Sequence, residues 1–312
     1  MHQIVTQFLF ALQLGYGRTI FLSPLIKKST VGLMTTVPAN WISPAEFESF
    51  PPRREPDAHK GSYGHLVVVA GSLGYHGAAV LSVRGAQRAQ PGLVTLLTQE
   101  SVYYPVAAQL QSAMVNLWAS DIHRFDQAGA ILMGPGLAAP DLSDEVRIIM
   151  RRLWRDAEVP MIVDASALPW LVPQALEKTA VRVVTPHPGE AAVLLKQSVA
   201  QVQANRELAV QEISRRYGNC WVVLKGHHTL IGRSEGVIKI NPSGNPHLAQ
   251  GGSGDVLAGF IAGLLAQPAL SADPGKALCY AVWQHGATAD RLQAAQRNWT
   301  IEDLANEIGN GR

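Results

Sequence analysis

The chain has 312 residues, of which 47% are apolar and 16% charged, with 28 glycines and 19 prolines. That is enough apolar material for a sizeable core and too little charge for a disordered chain. A formal net charge of +2 calls for neither nucleic acid nor an anionic membrane as partner, and two cysteines, Cys220 and Cys279, exclude a disulfide scaffold and CxxC zinc or redox motifs.

Residues 1–45 stand apart: they hold no Asp or Glu and only Arg18, Lys27 and Lys28 as basic residues. The start lacks the basic n-region of a secretory signal, and an organelle transit peptide would carry more arginine. Residues 1–45 read as an extension that contributes nothing to an active site. Pro38, Pro44, Pro51, Pro52 and Pro56 then read as an extended connector, with the main domain at 46–312.

From residue 65 the pattern alternates. Residues 65–70 are a β-branched run ending in Gly71-Ser72, as expected of a buried parallel strand and its glycine loop. Helix is predicted over 77–90, strand over 93–98, and strand over 130–133 ending in Gly134-Pro-Gly136. Helix 141–154 and strand 161–163 ending at Asp164 follow. Strand 181–184 ends in Thr185-Pro-His-Pro-Gly-Glu190. Helix 205–217 leads to strand 221–224, which ends at Lys225-Gly226. Short strands at 229–231 and 237–240 and helices at 254–266, 274–289 and 301–308 complete the chain. The apolar run 256–270 is short for a membrane span and is broken by Gly259, Gly263 and Pro268. Strands alternating with helices predict a mostly parallel sheet covered on both faces, with ligands bound at the carboxyl ends of the strands.

The strongest motif is Gly251-Gly-Ser-Gly-Asp255, opening an apolar helix. Glycines let backbone approach an anion, and a helix start offers unpaired N–H groups and positive dipole. Asp255 is placed there as a base beside a phosphate, and the dipole is expected to lower its pKa. The alternative is an ordinary cap by Ser253 or Asp255, with Gly259 and Gly263 serving close packing. No Gly-Lys-Ser/Thr follows, so this is not a Walker loop. In Thr185–Glu190, His187 would hold substrate and Glu190 would order a Mg2+ water near phosphates. Alternatively Pro188 and Glu190 simply suit a first helical turn. Lys225-Gly-His-His-Thr229 offers a phosphate or nucleotide contact, or is a solvated hairpin. His227 and His228, being adjacent, are expected to point in different directions. Asp164 either caps a helix or faces a ligand, and His59–Gly64 alone is a polar turn.

Together, His59-Lys-Gly-x-Tyr-Gly, Gly71-Ser, Gly77-Ala-Ala, Gly134-Pro-Gly-Leu, Thr185-Pro-His-Pro-Gly-Glu and Gly252-Ser-Gly-Asp-Val-Leu-Ala-Gly resemble the ADP-dependent NAD(P)H-hydrate dehydratase family of the ribokinase-like superfamily. The resemblance spans residues 39–309. It implies a three-layer α/β/α sandwich with a mostly parallel central sheet. It also implies metabolite repair: dehydration of NADHX and NADPHX to NADH and NADPH, with ADP as co-substrate, Mg2+ as cofactor, and AMP and phosphate released. On matching positions, Ala78, Gly136, His187 and Asp255 would contact the hydrate. Lys225, Gly226, His227, His228, Thr229 and Gly254 would contact the nucleotide. Asp255 would be the base, with the N–H groups of Gly252, Ser253 and Gly254 as an anion hole, and Glu190 would hold Mg2+ through water. A cytoplasmic homo-oligomer, a tetramer by resemblance, is implied, with no nucleic-acid or membrane partner.

Three departures stand out: Ala138 for a usual Gly, Gln90-Pro91-Gly92 for a Gly-Ala-Gly turn, and Ser166 for a second Asp. The region 31–33 faintly resembles the end of the epimerase domain that bacterial relatives carry in front, so the extension reads as a remnant of one. Two rival readings are a ribokinase-like small-molecule kinase and a non-catalytic nucleotide-binding sensor.

Overall fold

The computed structural model describes residues 40–118, 122–177 and 180–310. The region 31–33 and its epimerase-like reading lie outside the described residues. Within unit 38–312, one nine-stranded sheet runs in the order β3-β2-β1-β4-β5-β6-β7-β8-β9. The strands are β1 His65–Val69, β2 Leu93–Thr98, β3 Met114–Leu117, β4 Ala130–Met133, β5 Met161–Val163, β6 Arg182–Val184, β7 Trp221–Leu224, β8 Leu230–Gly232 and β9 Lys239–Ile240. β1 to β7 pair in parallel, and β8 and β9 close the edge antiparallel.

The helices are α1 His76–Arg88, α2 Tyr103–Ala107, α3 Asp144–Asp156, α4 Pro188–Leu195 and α5 Val199–Ala204. They continue with α6 Arg206–Arg216, α7 Ser253–Leu265, α8 Pro268–Ser271, α9 Pro274–Ala295 and α10 Ile301–Glu307. Because side chains alternate along a strand, Leu66 and Val68 enter one core with α1, α7, α9 and α10. Val67 and Val69 enter a second core with α3, α4 and α6. Both faces of the central strands are buried, which is why they read as continuous apolar runs. This is the expected three-layer sandwich.

Helices α1 and α7 cross in close contact. A Cβ on Gly259 would lie 1.8 Å from the Ser82 carbonyl oxygen, and one on Gly85 would lie 2.2 Å from that of Val256. The packing role foreseen for Gly259 and Gly263 is met. At the opposite end of the sheet, His59–Gly64 forms a short 3-10 turn, Lys60–Tyr63, in which His59 Nδ1 accepts from the Gly61 amide at 3.1 Å. A Cβ on Gly64 would meet the Ala266 oxygen at 1.8 Å, and one on Gly92 the Lys60 oxygen at 1.6 Å. Gln90, where the usual turn has Gly, adopts a left-handed φ of 60°.

The proline-rich stretch is not a free connector over its first half. Ile42 and Ile240 exchange the chain's pairing: Ile42 N–H donates to Ile240 O, and Ile240 N–H to Asn40 O, both at 2.9 Å. Ile42 and Phe47 are buried, and Phe47 sits 5.3 Å, ring to ring, from both Tyr280 and Trp283. Lys239 Nζ lies 3.2 Å from the Glu46 carboxylate. The composition signal of prolines was real, but the apolar residues between them dock on the sheet edge and α9. No helix among the described residues is long and apolar enough to cross a membrane.

Candidate active site

Five neighbouring parallel strands, β1, β4, β5, β6 and β7, end in Gly71, Gly134, Asp164, Thr185 and Lys225. Backbone bonds stitch this row: Gly71 N–H to Pro135 O (2.9 Å), Asp164 N–H to Met133 O (3.1 Å), Thr185 N–H to Val163 O (3.3 Å) and Lys225 N–H to Pro186 O (2.9 Å). Parallel order alone therefore lines the sequence motifs up along one edge. Buried Ser72 ties the first two loops. Its hydroxyl donates to Gly136 O at 2.6 Å and accepts from the Ala138 and Ala139 amides at 3.2 and 3.0 Å. Ala138 is exposed with ordinary backbone, so its departure from Gly costs the loop nothing. Gly136 has φ 67°, and a Cβ there would lie 2.9 Å from that of Ala78, which places these two residues side by side.

The centre of the row carries the charge. Asp164 is buried and accepts from the Thr185 hydroxyl at 2.6 Å and from Lys225 Nζ at 2.9 Å. It does not cap the turn that follows it. Lys225 Nζ is also 3.8 Å from Glu190 Oε2, and a Cβ on Gly254 would stand 3.2 Å from it. The ammonium therefore sits over the start of α7. Burial opposes its charge, but Asp164, Glu190 and Asp255 outweigh burial and raise its pKa. The solvated-hairpin alternative for Lys225 does not hold.

Asp255 departs from expectation. Burial first, then Asp164 and Glu190, push its pKa up to about 7 against the opposing pull of Lys225. The dipole argument counted the helix start and missed the low-dielectric surroundings and the neighbouring carboxylate. Neither Ser253 nor Asp255 caps α7. The cap is Gly252, with φ 94° and no side-chain bond. A Cβ on Gly252 would lie 2.4 Å from Leu81 Cδ1, so the position demands glycine twice over. The Ser253 N–H turns back to Gln250 O at 3.3 Å. The Gly254 and Asp255 amides, in the first turn, have no carbonyl of their own helix to reach. Of the three amides expected to form an anion hole, Ser253 is already engaged and those of Gly254 and Asp255 are left to offer.

His187 and Glu190 form a capping box at α4. His187 Nδ1 accepts from the Gly189 and Glu190 amides at 3.0 and 3.3 Å, and Glu190 Oε2 accepts from the His187 amide at 2.7 Å. Accepting at Nδ1 puts the proton of a neutral ring on Nε2, which lies 3.6 Å from Glu190 Oε1 in a side chain 57% exposed. The capping role is met, and it leaves the His187 Nε2 edge exposed. The rings of His227 and His228 do not point apart: they stack at 3.7 Å, because His228 takes a left-handed φ of 55°. The Trp41 ring stands edge-on to His228 at 4.8 Å. Thr229 Oγ1 donates to Gly226 O at 3.1 Å within the same loop.

The loop leading into Gly251 is templated by α9. Asp290 accepts from the Gly244 amide at 2.8 Å and from Asn245 Nδ2 at 3.0 Å. Asn241 Nδ2 donates to Ser243 O at 3.0 Å, and Ser243 Oγ to Trp283 O at 2.9 Å. Gly286 lets the loop in, since a Cβ there would lie 2.4 Å from Ser243 Oγ. His285 Nε2 donates to Ser253 O at 3.0 Å, and burial drives its pKa down to about 4, so it stays neutral. His285, Gly286 and Asp290, with Thr185 and Ser72, are site-forming residues to which the sequence analysis assigned no role, and Asp164 is one it left undecided. The signal for the first three was a His-Gly-x-x-x-Asp run following the apolar stretch 277–283 of a long helix. A separate cavity of about 1650 Å3, bordered by Phe50, Arg54, Phe260 and Trp283, shares none of the site residues.

A sequence model of the NAD(P)H-hydrate dehydratase family matches residues 66–310, which include every one of these site loops. The chain belongs to the NAD(P)H-hydrate dehydratase family. It is 38% identical over 246 residues to the ADP-dependent (S)-NAD(P)H-hydrate dehydratase of Neisseria meningitidis serogroup B, covering 77% of this chain and 81% of that protein. It is 37% identical over 259 residues to the bifunctional NAD(P)H-hydrate repair enzyme Nnr of Gloeobacter violaceus, covering 78% of this chain and 48% of that one. The chain thus spans about half the length of such bifunctional relatives. A crystal structure of the ADP/ATP-dependent NAD(P)H-hydrate dehydratase from Bacillus subtilis, grown with ATP and Mg2+, superposes with a TM-score of 0.73 at 30% identity, over 83% of this chain and 92% of that one. The hydroxyethylthiazole kinase of Pyrococcus horikoshii, at 14% identity and a TM-score of 0.53 over 80% of this chain and 89% of that one, shares the fold. A ribokinase-like superfamily protein of Enterococcus faecalis V583 superposes with a TM-score of 0.72 at 26% identity, over 83% of this chain and 89% of that one, so the fold is ribokinase-like, as the motifs implied.

Proposed function

We propose that this chain dehydrates NADHX and NADPHX to NADH and NADPH with ADP as co-substrate, as a repair enzyme. The observation that carries the reading is the placing of Asp255 at the start of α7 beneath Lys225, beside the Gly254 and Asp255 amides, which donate to no backbone carbonyl among the described residues. Asp255, with a pKa near neutrality, takes the proton of the ring hydroxyl as its oxygen attacks the β-phosphorus of ADP. The P–O bond to AMP breaks. The amides and Lys225 hold the negative charge on the transferred group. The ring C–O bond then breaks with loss of phosphate and a neighbouring ring proton, which restores the double bond. Ala78, Gly136 and His187 orient the hydrate, and the 225–229 loop holds the nucleotide.

The donor set fits a Mg2+ that arrives with phosphates. No cluster of three or more His, Cys, Asp or Glu among the described residues could cage a metal, and Lys225 fills the space between Asp164 and Glu190. One carboxylate plus substrate phosphates is an ordinary magnesium set, and Glu190 Oε1 would reach it through water. Bound there, Mg2+ would neutralise phosphate charge.

The test is purified protein with NADHX, Mg2+ and ADP or ATP, followed at the reduced-nicotinamide absorbance band with phosphate release in parallel. Recovery of NADH with one phosphate per turnover, faster with ADP than ATP, is expected. A stable phosphorylated product would assign a kinase, and nucleotide binding without turnover a sensor.

A further inference from the structure

Arg206 occupies the first turn of α6, where the helix dipole disfavours a cation. Among the described residues no carboxylate lies within ion-pairing distance of it, and its Nε is buried without a partner. All its bonds go instead to backbone carbonyls around one loop. Nη1 donates to His227 O at 2.6 Å and His228 O at 3.1 Å, and Nη2 to Leu224 O at 3.1 Å and Lys225 O at 3.4 Å. Gly226 is the residue passed over. Its φ is 136°, and a Cβ there would stand 3.2 Å from Nη2. Drawing carbonyls to one side turns the intervening amides to the other, and the N–H groups of Gly226, His227 and His228 donate to no backbone carbonyl among the described residues. Successive amides presented together form an anion-receiving concavity.

We propose that Arg206 is a positioning residue for the nucleotide: its guanidinium fork shapes the 225–229 loop and sets an unneutralised positive charge behind it. The inference rests on the reading of that loop as the nucleotide site. Lowering of the Arg206 pKa by burial accords with a cation that no acid compensates. A lysine would keep the charge but not the planar fork that reaches several carbonyls at once.

The experiment compares the wild type, Arg206→Lys and Arg206→Met by titration calorimetry with ADP, by steady-state kinetics, and by hydrogen exchange of peptides spanning 225–229. Expected for Arg206→Lys is an ADP affinity about tenfold weaker, as loss of a charge-assisted bond gives. The hydrate KM should stay within about twofold, the scale of surface changes that touch no contact. Exchange in the ligand-free loop should be faster, and Arg206→Met should be worse on every count. If Arg206→Met does not fold, Arg206→Lys decides alone. Wild-type loop protection by ADP together with unchanged affinity in Arg206→Lys overturns this inference and leaves the nucleotide reading standing. Absence of ADP protection at 225–229 in the wild type overturns the nucleotide reading and this inference with it.

Discussion

Asp255 and His285 face the same helix start from opposite sides of the pH scale. The Asp255 carboxyl binds its proton more tightly in the folded protein, from 3.8 up to about 7, so its contribution to stability falls as pH rises through that window. His285 binds its proton less tightly when folded, from 6.5 down to about 4, so its contribution rises with pH there. The two slopes oppose each other between about 4 and 6.5. Asp255→Asn should therefore gain stability over the wild type progressively above pH 4, seen as a rising difference in melting temperature. His285→Gln should show a difference of the other sign. Identical pH profiles for both variants and the wild type would refute these burial-driven shifts. In kinetics, Asp255→Asn should lose two orders of magnitude or more of turnover, about the general-base range, while ADP binds as before. Wild-type activity should rise with pH up to about 7 as Asp255 loses its proton.

At the scale of elements, α7 is located by glycines on one side and by α9 on the other. Gly259→Ala puts a methyl 1.8 Å from the Ser82 oxygen and should cost about 1–3 kcal/mol as α1 and α7 part. Gly251→Ala meets nothing within 4 Å and is the matched control, expected within about 0.5 kcal/mol. Denaturant unfolding of the pair measures the difference. Asp290→Asn tests α9 as template. It keeps the shape and weakens the hold on Gly244 and Asn245, so kcat should fall by more than KM for either substrate changes. The strands β2, β4, β5 and β7 were legible to the residue, because two-sided burial writes short apolar and β-branched runs bounded on at least one side by glycine, proline or a charged residue. β3 was not read: it is a short edge strand, its residues are half-buried or exposed, and Asn116 interrupts it. Of the motif glycines, Gly64, Gly134, Gly136 and Gly252 were legible because a positive φ and a neighbour under 3 Å from any Cβ leave only glycine there. Asp164 remained undecided and His285 unread because their importance lies in which strand and helix stand next to them, and spacing along the chain does not carry strand order.

For the whole molecule, the body reaches back to residues that composition assigned to a linker. A chain beginning at Pro38 should melt like the full chain if residues 1–37 add nothing to it. A chain beginning at Glu46 loses buried Ile42, its two backbone bonds and the Trp41 contact with His228. Removing one buried Ile side chain alone costs about 2–5 kcal/mol. The shorter chain should melt lower, exchange its β9 amides faster and bind ADP more weakly than the chain from Pro38. Equal melting of the two truncated chains would show that this edge pairing adds nothing. The expectation that deleting residues 1–45 leaves activity within a few-fold is tested by the same pair of chains, and the docking of Ile42 and Phe47 argues for a boundary near Pro38.

The turn made by His59–Gly64 packs against Gly92 and Ala266 at the amino ends of the strands, a full strand length from Asp255. Its glycines are held by sterics and owe nothing to chemistry. Steric fit at one pole and charge at the other are consequently separable. On the proposed reading, a copy that lost Asp255 or Lys225 would keep this turn and its packing while losing turnover. For any relative of this chain, the residues at the carboxyl pole are the ones to read before an activity is assigned.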